Sequence, residues 1–484
     1  MSEQILVKPS DSRSWSLCKR RVWLDHKLPA QHEDLNDFDK LVVQLGIEHE
    51  KNILSIFESK YTVEVAQSVT HTETLMHQGI DVIYQAQLIN INDGIIGYPD
   101  FLIRQSNGEY QAADAKLSLS SEKKEIQIQL GLYRQLLNNG LSAIVFLGDG
   151  SQSEINNSSD GLVIKFVTEM HALLTNQQEP IVRYSHSKCS ACPYYEHCKP
   201  LFVAKNDLSL LYGIQARAAE GLEAIGIQTI TDLSLSSADE LPDIPYLKGF
   251  KKKQRAIFQA KSWESGEMFS IGTVSLPKGT WVHFDIEDNP LTANGEKHVY
   301  LWGFLLPNYA NENFEYVWTD NENEDKDGWL AFLEKIQSYH LQYSDLILAH
   351  YSSHERTTIK KYAERYEMEN DETVSWLLGD TSPLFDMQRP VTDNLILPLQ
   401  GYGLKDICKH PDLVNFQWED ADSGSQWSVV QFNNFLNEKD AIKKELLKKE
   451  ILGYNRDDVI ATRRLEQWLR KNHMTKPIPK ASNN

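Results

Sequence analysis

Residues 281–287 of this chain read WVHFDIE, an apolar run that carries two acidic residues. The run over 281–286 predicts a strand, and residues 299–306 predict its hairpin partner. Asp285 and Glu287 stand two positions apart, so a strand turns both side chains to the same face. Paired carboxylates on one face can hold a divalent cation. The stretch therefore predicts an α/β domain with an acidic site on its first strand.

Two later segments supply further acidic residues for the same site. Glu355 follows a short apolar strand predicted over 346–349 and begins a helix predicted over 355–366. Tyr454 and Asp458 are four residues apart on a predicted C-terminal helix, so they share one helix face. Each pair by itself is typical of an exposed edge or a helix start. In this order, four carboxylates from three separate elements can converge on two cations, and Tyr454 can orient a water molecule.

This segment resembles the DEDD exonucleases of the RNase H-like fold, in their tyrosine-bearing subgroup. The residues that match the three family motifs are, in chain order, Asp285 with Glu287, Glu355, and Tyr454 with Asp458. The family usually has Asp at the second motif, and Glu355 resembles the form found in bacterial proteins that pair a RecB-like domain with this exonuclease. The resemblance implies that the four carboxylates bind Mg²⁺ or Mn²⁺, that Tyr454 is catalytic, and that nucleotides are removed from a 3′ end.

The N-terminal part of the chain has a different pattern, in which helix, strand meander, helix and strand follow one another. The predicted elements are a helix at 34–60, strands at 61–66, 82–91, 95–103 and 110–115, a helix at 121–137 and a strand at 142–147. Asp114 and Lys116 share one face of a strand, and Asp100 lies on the strand before it. Two carboxylates can bind a metal ion there, and the lysine can stabilise charge.

These residues resemble the RecB-like branch of the PD-(D/E)XK nuclease superfamily, which has a restriction-endonuclease fold. The resemblance implies that His49, Asp100 and Asp114 are metal ligands and that Lys116 is the catalytic lysine. Gln129 and Tyr133, which share a helix face, match the Q-x3-Y element of the family. Alone, the Asp-x-Lys pair is typical of a solvated strand face.

Cysteines are sparse, with five in the chain, and an odd count in a long chain argues against a disulfide framework. Three of them, Cys189, Cys192 and Cys198, lie close together, and Cys18 lies far before them. Four thiolates suit a [4Fe–4S] cluster or a zinc ion, and because histidines lie nearby, zinc binding is an alternative to the cluster. Some RecB-like proteins hold a cluster with one N-terminal and three C-terminal cysteines, so the resemblance implies that these four bind [4Fe–4S].

Residues 205–265 are rich in short apolar stretches that are broken by Gly and Pro. They resemble a helix-hairpin-helix DNA-binding module, in which Gly226 and Gly249 end helices in left-handed conformations and free backbone N–H groups for phosphate. A basic run is predicted to bind nucleic acid: Lys251, Lys252, Lys253 and Arg255. A helical spacer with a solvated basic face is the alternative.

The bulk composition sets limits on the function. The net charge of the 484 residues is -19, which argues against a general nucleic-acid coat protein because phosphate binding needs Lys and Arg. Metal-binding carboxylates contribute to that charge, and bound cations offset it. No apolar run approaches the roughly 18 residues of a membrane span, and the N-terminus lacks a signal-peptide pattern. We expect a cytoplasmic protein.

We expect an α/β multidomain chain with a RecB-like nuclease domain at 1–204, a helix-hairpin-helix-like domain at 205–265, an RNase H-like domain at 280–472 and a disordered tail at 473–484. It is predicted to process single-stranded or frayed DNA in repair, defence or replication. Relatives often carry a helicase, so a separate helicase partner is expected. The alternatives are an RNA-processing exonuclease and a non-catalytic iron–sulfur scaffold that binds nucleic acid.

Overall fold

The computed structural model describes residues 5–29, 35–292, 295–307, 312–419, 424–471 and 475–479. Helices and mixed sheets alternate along the chain, as the α/β multidomain prediction requires. The chain forms two compact units. The first comprises Met1–Val182, Ala191–His197 and Ala293–Glu296, and the second Arg183–Ser190, Cys198–Thr292 and Lys297–Asn484. The domain boundaries expected from the sequence stay predictions.

The first unit alternates helices with short strands. Its elements are α1 (Asp11–Leu17), α2 (Lys19–Lys27), α3 (Asp37–Glu58), β1 (Val63–Val65), α4 (Val69–Gln78), β2 (Val82–Tyr84), β3 (Leu88–Asn90), β4 (Ile95–Gly97), β5 (Phe101–Arg104), β6 (Tyr110–Ala115), α5 (Lys124–Leu137), β7 (Ala143–Phe146), β8 (Gln152–Ile155) and α6 (Asp160–Thr175). Six strands form one mixed sheet in the order β1-β2-β5-β6-β7-β8, and β3 pairs with β4 in a separate hairpin. Helix α5 packs on β6 and β7 through apolar residues such as Ile126 and Leu130.

Two long predicted strands of this unit are wrong as single elements. The strand predicted over 82–91 divides into β2 and β3, which lie in different sheets. Gln85 follows β2 with a φ of 54°, a left-handed conformation that breaks an extended chain. The strand predicted over 95–103 likewise divides into β4 and β5, so Asp100 lies just before β5 instead of within a strand.

Helix α4 lies between two predicted strands and was not predicted. The helix predicted over 34–60 appears as α3, and residue 34 lies outside the described part of the chain.

The second unit contains the longest strand and the longest helix of the described residues. Its elements, with α8 beginning in the first unit, are α7 (His186–Cys189), α8 (Tyr195–Lys205), α9 (Ala216–Ala224), α10 (Ile230–Leu235), α11 (Phe250–Ser265), β9 (Phe269–Ser270), β10 (Thr280–Asn289), β11 (His298–Leu305), β12 (Phe314–Trp318), α12 (Asp325–Gln342), β13 (Leu346–His350), α13 (His354–Arg365), α14 (Glu372–Leu378), β14 (Leu384–Asp386), α15 (Gln388–Asn394), β15 (Leu395–Ile396), α16 (Leu404–Cys408), α17 (Ser425–Asn437), α18 (Ala441–Arg470) and β16 (Lys476–Pro477).

The main sheet of this unit has the order β12-β11-β10-β13-β14. Strand β10 pairs antiparallel with β11, which confirms the predicted hairpin, and parallel with β13. Alternate residues of β10 face opposite sides: Val282, Phe284 and Ile286 join a core with helix α12. Trp281 instead packs with residues of α18, including Leu465. The central strand is therefore covered by helices on both faces, and its residues His283, Asp285 and Glu287 lie on the α18 side.

The predicted helical segment belongs to this second unit. Gly226 has a φ of 94° shortly after α9, as expected for a glycine that ends a helix. Gly249 has a φ of 80° but precedes α11 instead of ending a helix, which corrects that prediction. Helix α11 contacts the rest of the unit: the Gln259 side-chain amide donates to the Leu397 carbonyl at 2.7 Å.

Part of the predicted disordered tail is ordered. Lys476 and Pro477 form β16, which pairs in parallel with β9. Residues 473–474 and 480–484 of that predicted tail lie outside the described residues. Within the described part of the chain, no helix has both the length and the apolar character that a membrane crossing requires.

Candidate metal centre

Three acidic side chains converge on the α18 face of strand β10. Ligand oxygens of Asp285, Glu287 and Asp458 all lie within 4.8 Å of one another. The first two residues project from β10 and the third from the middle of α18, which packs against β10 and β11. Glu287 is 5% exposed and Asp458 8%. The fold thus joins carboxylates about 170 residues apart in one pocket, and their role as metal ligands stays a prediction.

Neutral donors hold the two carboxylates of β10 in place. The Asn455 side-chain amide donates to Asp285 Oδ2 at 2.8 Å and lies 3.5 Å from Glu287 Oε1. The Ser428 hydroxyl donates to Glu287 Oε2 at 2.6 Å and itself accepts from the Tyr300 hydroxyl at 3.0 Å. Asn455, Ser428 and Tyr300 are fully buried. Such a buried network fixes the rotamers of the acidic side chains.

A glycine makes room for the amide of this network. Gly303 of β11 pairs directly with Asp285. A Cβ atom at residue 303 would lie 1.7 Å from Asn455 Oδ1 and 2.9 Å from Asn455 Cγ. Since atoms cannot approach so closely, only glycine allows α18 to place the Asn455 amide over the acidic pair.

The third carboxylate has its own partners on and near α18. The Trp418 indole N–H donates to Asp458 Oδ1 at 2.7 Å, and Tyr454 also forms a side-chain hydrogen bond with Asp458. The Lys405 ammonium lies 3.4 Å from the Tyr454 hydroxyl oxygen and 4.8 Å from the centre of its ring. These contacts bring a tyrosine and a positive charge to the edge of the acidic pocket.

Glu355 lies at the start of α13, as predicted from the sequence, but its carboxylate is engaged elsewhere. Its Oε2 is 3.1 Å from His350 Nδ1, and both residues are 2% exposed. Its charge nevertheless raises the pKa of Asp285, after the larger effects of burial, Asp458 and Glu287. Glu355 therefore belongs to the same electrostatic cluster while lying outside the group of three.

Burial and mutual repulsion raise the pKa of the acidic residues. Burial is the largest cause for Asp285, whose pKa lies well above its usual value, and the charges of the neighbouring carboxylates add to it. Burial, then Asp458, raises the pKa of Glu287 to about 8. Burial also raises the pKa of Asp458, although Lys405 opposes the shift. Clustered buried carboxylates that repel one another fit a divalent cation, because hard cations prefer oxygen ligands and offset the charge.

The first unit brings together part of the other predicted site. Lys116 Nζ lies 2.6 Å from Asp114 Oδ2. Asp114 Oδ1 accepts from the backbone N–H of Asp100, whose own Oδ2 accepts from the Ala115 N–H at 2.8 Å. Burial and then the charge of Asp114 raise the pKa of Asp100 well above its usual value. Asp100, Asp114 and Lys116 thus form one cluster, whose function stays a prediction.

The remaining predicted residues of this site divide into two groups. Gln129 donates to the Tyr133 hydroxyl at 2.9 Å, and Tyr133 donates to the Tyr98 carbonyl at 3.0 Å. Burial, then Asp114, raises the pKa of Tyr133, so this pair lies near the cluster. His49 Nε2 instead lies 3.2 Å from the Phe146 carbonyl oxygen, a contact that requires a proton on Nε2 and leaves only Nδ1 for a metal.

Glu50 is a neighbour of this cluster that sequence reasoning did not assign. Its carboxylate accepts from the Tyr84 hydroxyl at 2.8 Å and from the Gln85 side chain. Its charge raises the pKa of Asp100 and of Lys116, although burial and the nearer carboxylates have larger effects. Only its position beside His49 on α3 signals it in the sequence.

The four cysteines divide between the two units. Cys18 and Cys192 belong to the first unit, where burial raises the pKa of the Cys192 thiol and Cys18 raises it further. Cys189 and Cys198 belong to the second unit, and the Ser185 backbone N–H donates to the Cys189 sulfur at 3.4 Å. The cluster ligation stays a prediction. Cys408 is fully buried, as expected for an ordinary core thiol.

The basic run of α11 is only partly available to a ligand. Lys251 and Lys252 are exposed. Lys253 forms an ion pair with Asp243 at 2.8 Å, and Arg255 donates to the Thr392 carbonyl. Two of the four predicted contacts with nucleic acid are therefore engaged within the protein, and nucleic-acid binding by this run stays a prediction.

Comparisons with known proteins address the segment that contains the acidic pocket. Residues 282–470 match the RNase_H superfamily, and this span includes Asp285, Glu287, Glu355 and Asp458. Over these residues the chain is similar to the RNase_H superfamily, and this similarity suggests a nuclease-type activity. The structure described as the crystal structure of SSO0001 is 18% identical over 41% of this chain and 88% of that chain, with a TM-score of 0.26, too low to support a conclusion. A search of curated proteins found no match.

Several residues of the pocket escaped sequence reasoning. Asn455, Ser428 and Trp418 contact the carboxylates directly, but they are neutral residues, whereas the spacing of acidic residues is what predicts a metal site. Asn455 had a weak signal, because it follows Tyr454 on the same helix. Their partners lie more than 30 residues away in the chain, so no local spacing identifies them.

Proposed function

We propose that the chain is a metal-dependent nuclease whose RNase H-like domain removes nucleotides from the 3′ end of DNA. The observation that carries the proposal is the convergence of half-buried Asp285 with buried Glu287 and Asp458 within 4.8 Å, inside the segment that matches the superfamily. Glu355, whose charge acts on Asp285, completes a set of four carboxylates. Mg²⁺ or Mn²⁺ is the cation that such oxygen ligands prefer.

The protein groups have separate tasks in this proposal. Asp285, Glu287 and Asp458 would hold the metal ions, and bound ions would stabilise charge on the phosphodiester and its leaving oxygen. Asn455 and Ser428 keep the two strand carboxylates aimed at one point. The Tyr454 hydroxyl, which bonds to Asp458, orients the attacking water molecule.

Lys405 adds an electrostatic contribution beside these groups. Its ammonium lies at the Tyr454 hydroxyl, where it can attract a phosphate oxygen and stabilise negative charge that develops during cleavage. Burial lowers the pKa of Lys405, while the charge of Asp458 opposes that shift. A cation at this edge favours entry of the phosphate from the Lys405 side.

The test is degradation of end-labelled single-stranded and double-stranded DNA in Mg²⁺ or Mn²⁺. We expect loss from the 3′ end by the wild type and a drop of at least about 100-fold for Asp285→Asn, because one oxygen ligand loses its charge. Asp288→Asn is the matched control, since Asp288 lies on the same strand but pairs with Lys297 at 2.9 Å. Equal 3′ degradation by Asp285→Asn and the wild type excludes this assignment.

The same assay distinguishes DNA from RNA as the substrate. Matched DNA and RNA strands separate the proposed DNA nuclease from an RNA-processing exonuclease, which the same fold supports. Absence of cleavage of either strand in both metals favours the remaining alternative, a non-catalytic nucleic-acid-binding scaffold.

We further propose that Asp100, Asp114 and Lys116 form a second nuclease centre of RecB-like type. The contacts of Lys116 with Asp114 and of Asp100 with the backbone next to Asp114 support it. Lys116→Ala should remove cleavage that persists in Asp285→Asn, for example of internally labelled DNA with blocked 3′ ends. If the blocked DNA is cut equally by wild type and Lys116→Ala, the second centre is absent.

The cluster ligation and the cellular setting of the protein are proposed from the sequence and its family resemblance. Cys18, Cys189, Cys192 and Cys198 are proposed to bind a [4Fe–4S] cluster, with zinc as the alternative. Anaerobic purification distinguishes them, since a cluster gives a brown protein that absorbs visible light and zinc gives a colourless one. We propose that the protein acts in the cytoplasm on DNA ends opened by a separate helicase, in repair, defence or replication.

A further inference from the structure

The loop that leads into helix α16 meets the segment that begins α7. His186 Nε2 lies 3.7 Å from Asp406 Oδ2, and His186 Nδ1 lies 3.2 Å from the Tyr184 hydroxyl oxygen. The Tyr184 hydroxyl also donates to Gln400 Oε1 at 3.4 Å. Both stretches belong to the second unit. The start of α16 is therefore in contact with a segment that lies far earlier in the chain.

A glycine is required at the point where these side chains meet. A Cβ atom at residue 401 would lie 2.5 Å from Asp406 Oδ2 and 2.6 Å from His186 Nε2. Atoms cannot approach each other so closely, so any other residue at Gly401 would push the aspartate and the histidine away. The contact between the two segments therefore depends on a backbone position that carries no side chain.

The segment before α7 is itself anchored within the second unit. The Tyr184 backbone N–H donates to the Ser209 hydroxyl oxygen at 2.9 Å, and both residues are buried. Arg183 pairs with Asp207 at 3.3 Å and also with Glu223. Asp207 is 1% exposed, and a buried ion pair resists separation because one charge would be left unpaired. The start of α7 is therefore held in place.

Helix α16 has five residues and places Lys405 beside the acidic pocket. A helix this short is unstable by itself, so its position depends on tertiary contacts. Asp406 Oδ2, which faces His186, also accepts from the Gly403 backbone N–H at 3.0 Å and so caps the start of the helix. Asp406 directly follows Lys405, so a shift of Asp406 moves the Lys405 ammonium away from the Tyr454 hydroxyl, 3.4 Å away.

We propose that His186 and Asp406 are positioning residues, which hold α16 so that Lys405 stays at the exonuclease centre. The inference rests on the proposed function and adds how the cation of that site is kept in place. Both residues act through Lys405 and not on the phosphodiester itself. Their loss should lower kcat more than it raises KM, because a displaced cation no longer stabilises the charge that develops during cleavage.

The test measures kcat and KM of full-length variants on 5′-labelled single strands in Mg²⁺. His186→Ala should lower kcat by about 2- to 5-fold, the factor that loss of an exposed ion pair can produce. His186→Gln keeps an N–H donor and should restore most of the loss. Gly401→Ala displaces both side chains and should lower kcat by about 10-fold. The control is His26→Ala, which breaks a histidine–aspartate pair with Asp11 at 3.0 Å in the first unit and should leave kcat unchanged.

A double-mutant cycle separates positioning from a general loss of structure. Lys405→Met alone should lower kcat by about 100-fold. Addition of His186→Ala to Lys405→Met should cause no further loss, because the group that His186 positions is already absent. A general structural defect would instead lower kcat by the same factor in both backgrounds, and that result overturns the proposal.

Amine labelling followed by mass spectrometry measures the position of Lys405 without relying on activity. In His186→Ala, Lys405 should react about 2- to 5-fold faster relative to Lys409, which is exposed. Wild-type labelling of Lys405 overturns the proposal and shows that Tyr402, which stacks on Tyr212 with ring centres 4.0 Å apart, holds the loop alone. Failure of the parent proposal looks different: the wild type then degrades no strand, while the labelling still tests whether His186 positions Lys405.

Discussion

Replacement of Gly303 by alanine should disable the acidic pocket through one amide. The new Cβ would lie 1.7 Å from Asn455 Oδ1, so the Asn455 side chain must leave its position. Its bond to Asp285 Oδ2 at 2.8 Å is then lost. Loss of an outer hydrogen bond to a metal ligand typically lowers metal affinity by about 10–100-fold. The forced repacking costs about 1–3 kcal/mol of unfolding free energy.

Calorimetric titration with Mn²⁺ and thermal unfolding measure the two effects separately. Asn455→Ala removes the amide without a steric clash, so it should lower the Mn²⁺ affinity while costing less stability than Gly303→Ala. Gly161→Ala is the control, because a Cβ at this position meets nothing within 4 Å. If Asn455→Ala binds Mn²⁺ as tightly as the wild type, the amide does not orient the ligands and the reasoning is refuted.

Three other predictions concern charge and helix stability. Burial raises the pKa of Glu287 from 4.5 to about 8, so the folded metal-free protein binds a proton more tightly than the unfolded chain. Its unfolding free energy should therefore fall as the pH rises through this range, and Mg²⁺ should raise Tm more at pH 8 than at pH 6. An increase in Tm with Mg²⁺ that is the same at both pH values contradicts this. Lys116→Met leaves the buried Asp114 carboxylate without its cation, so denaturant unfolding should show a loss of about 2–3 kcal/mol. Asp114→Asn in the same chain should recover most of that loss, and no recovery contradicts the explanation. Gly453→Ala should add about 0.5–1 kcal/mol to the unfolding free energy, and a lower Tm would show that the glycine has a structural role.

Prediction from sequence succeeded where a pattern repeats along one element. The apolar run over 281–286 led to the β10–β11 hairpin, and the spacing of Tyr454 and Asp458 led to one face of α18. It failed where a single backbone angle decides the outcome, as at Gln85, whose positive φ separates β2 from β3. No property of a glutamine side chain predicts a positive φ, because packing around the turn imposes this conformation.

By itself, the sequence determined that acidic pairs lie on strand and helix faces, because side-chain direction follows from the local periodicity. Only the tertiary structure decided which of them meet: Asp285, Glu287 and Asp458 converge, Glu355 bonds to His350, and His49 contacts a carbonyl group. Convergence depends on how α18 packs over β10, which the burial of many distant apolar residues determines together. Such long-range packing has no signature in the spacing of a few residues.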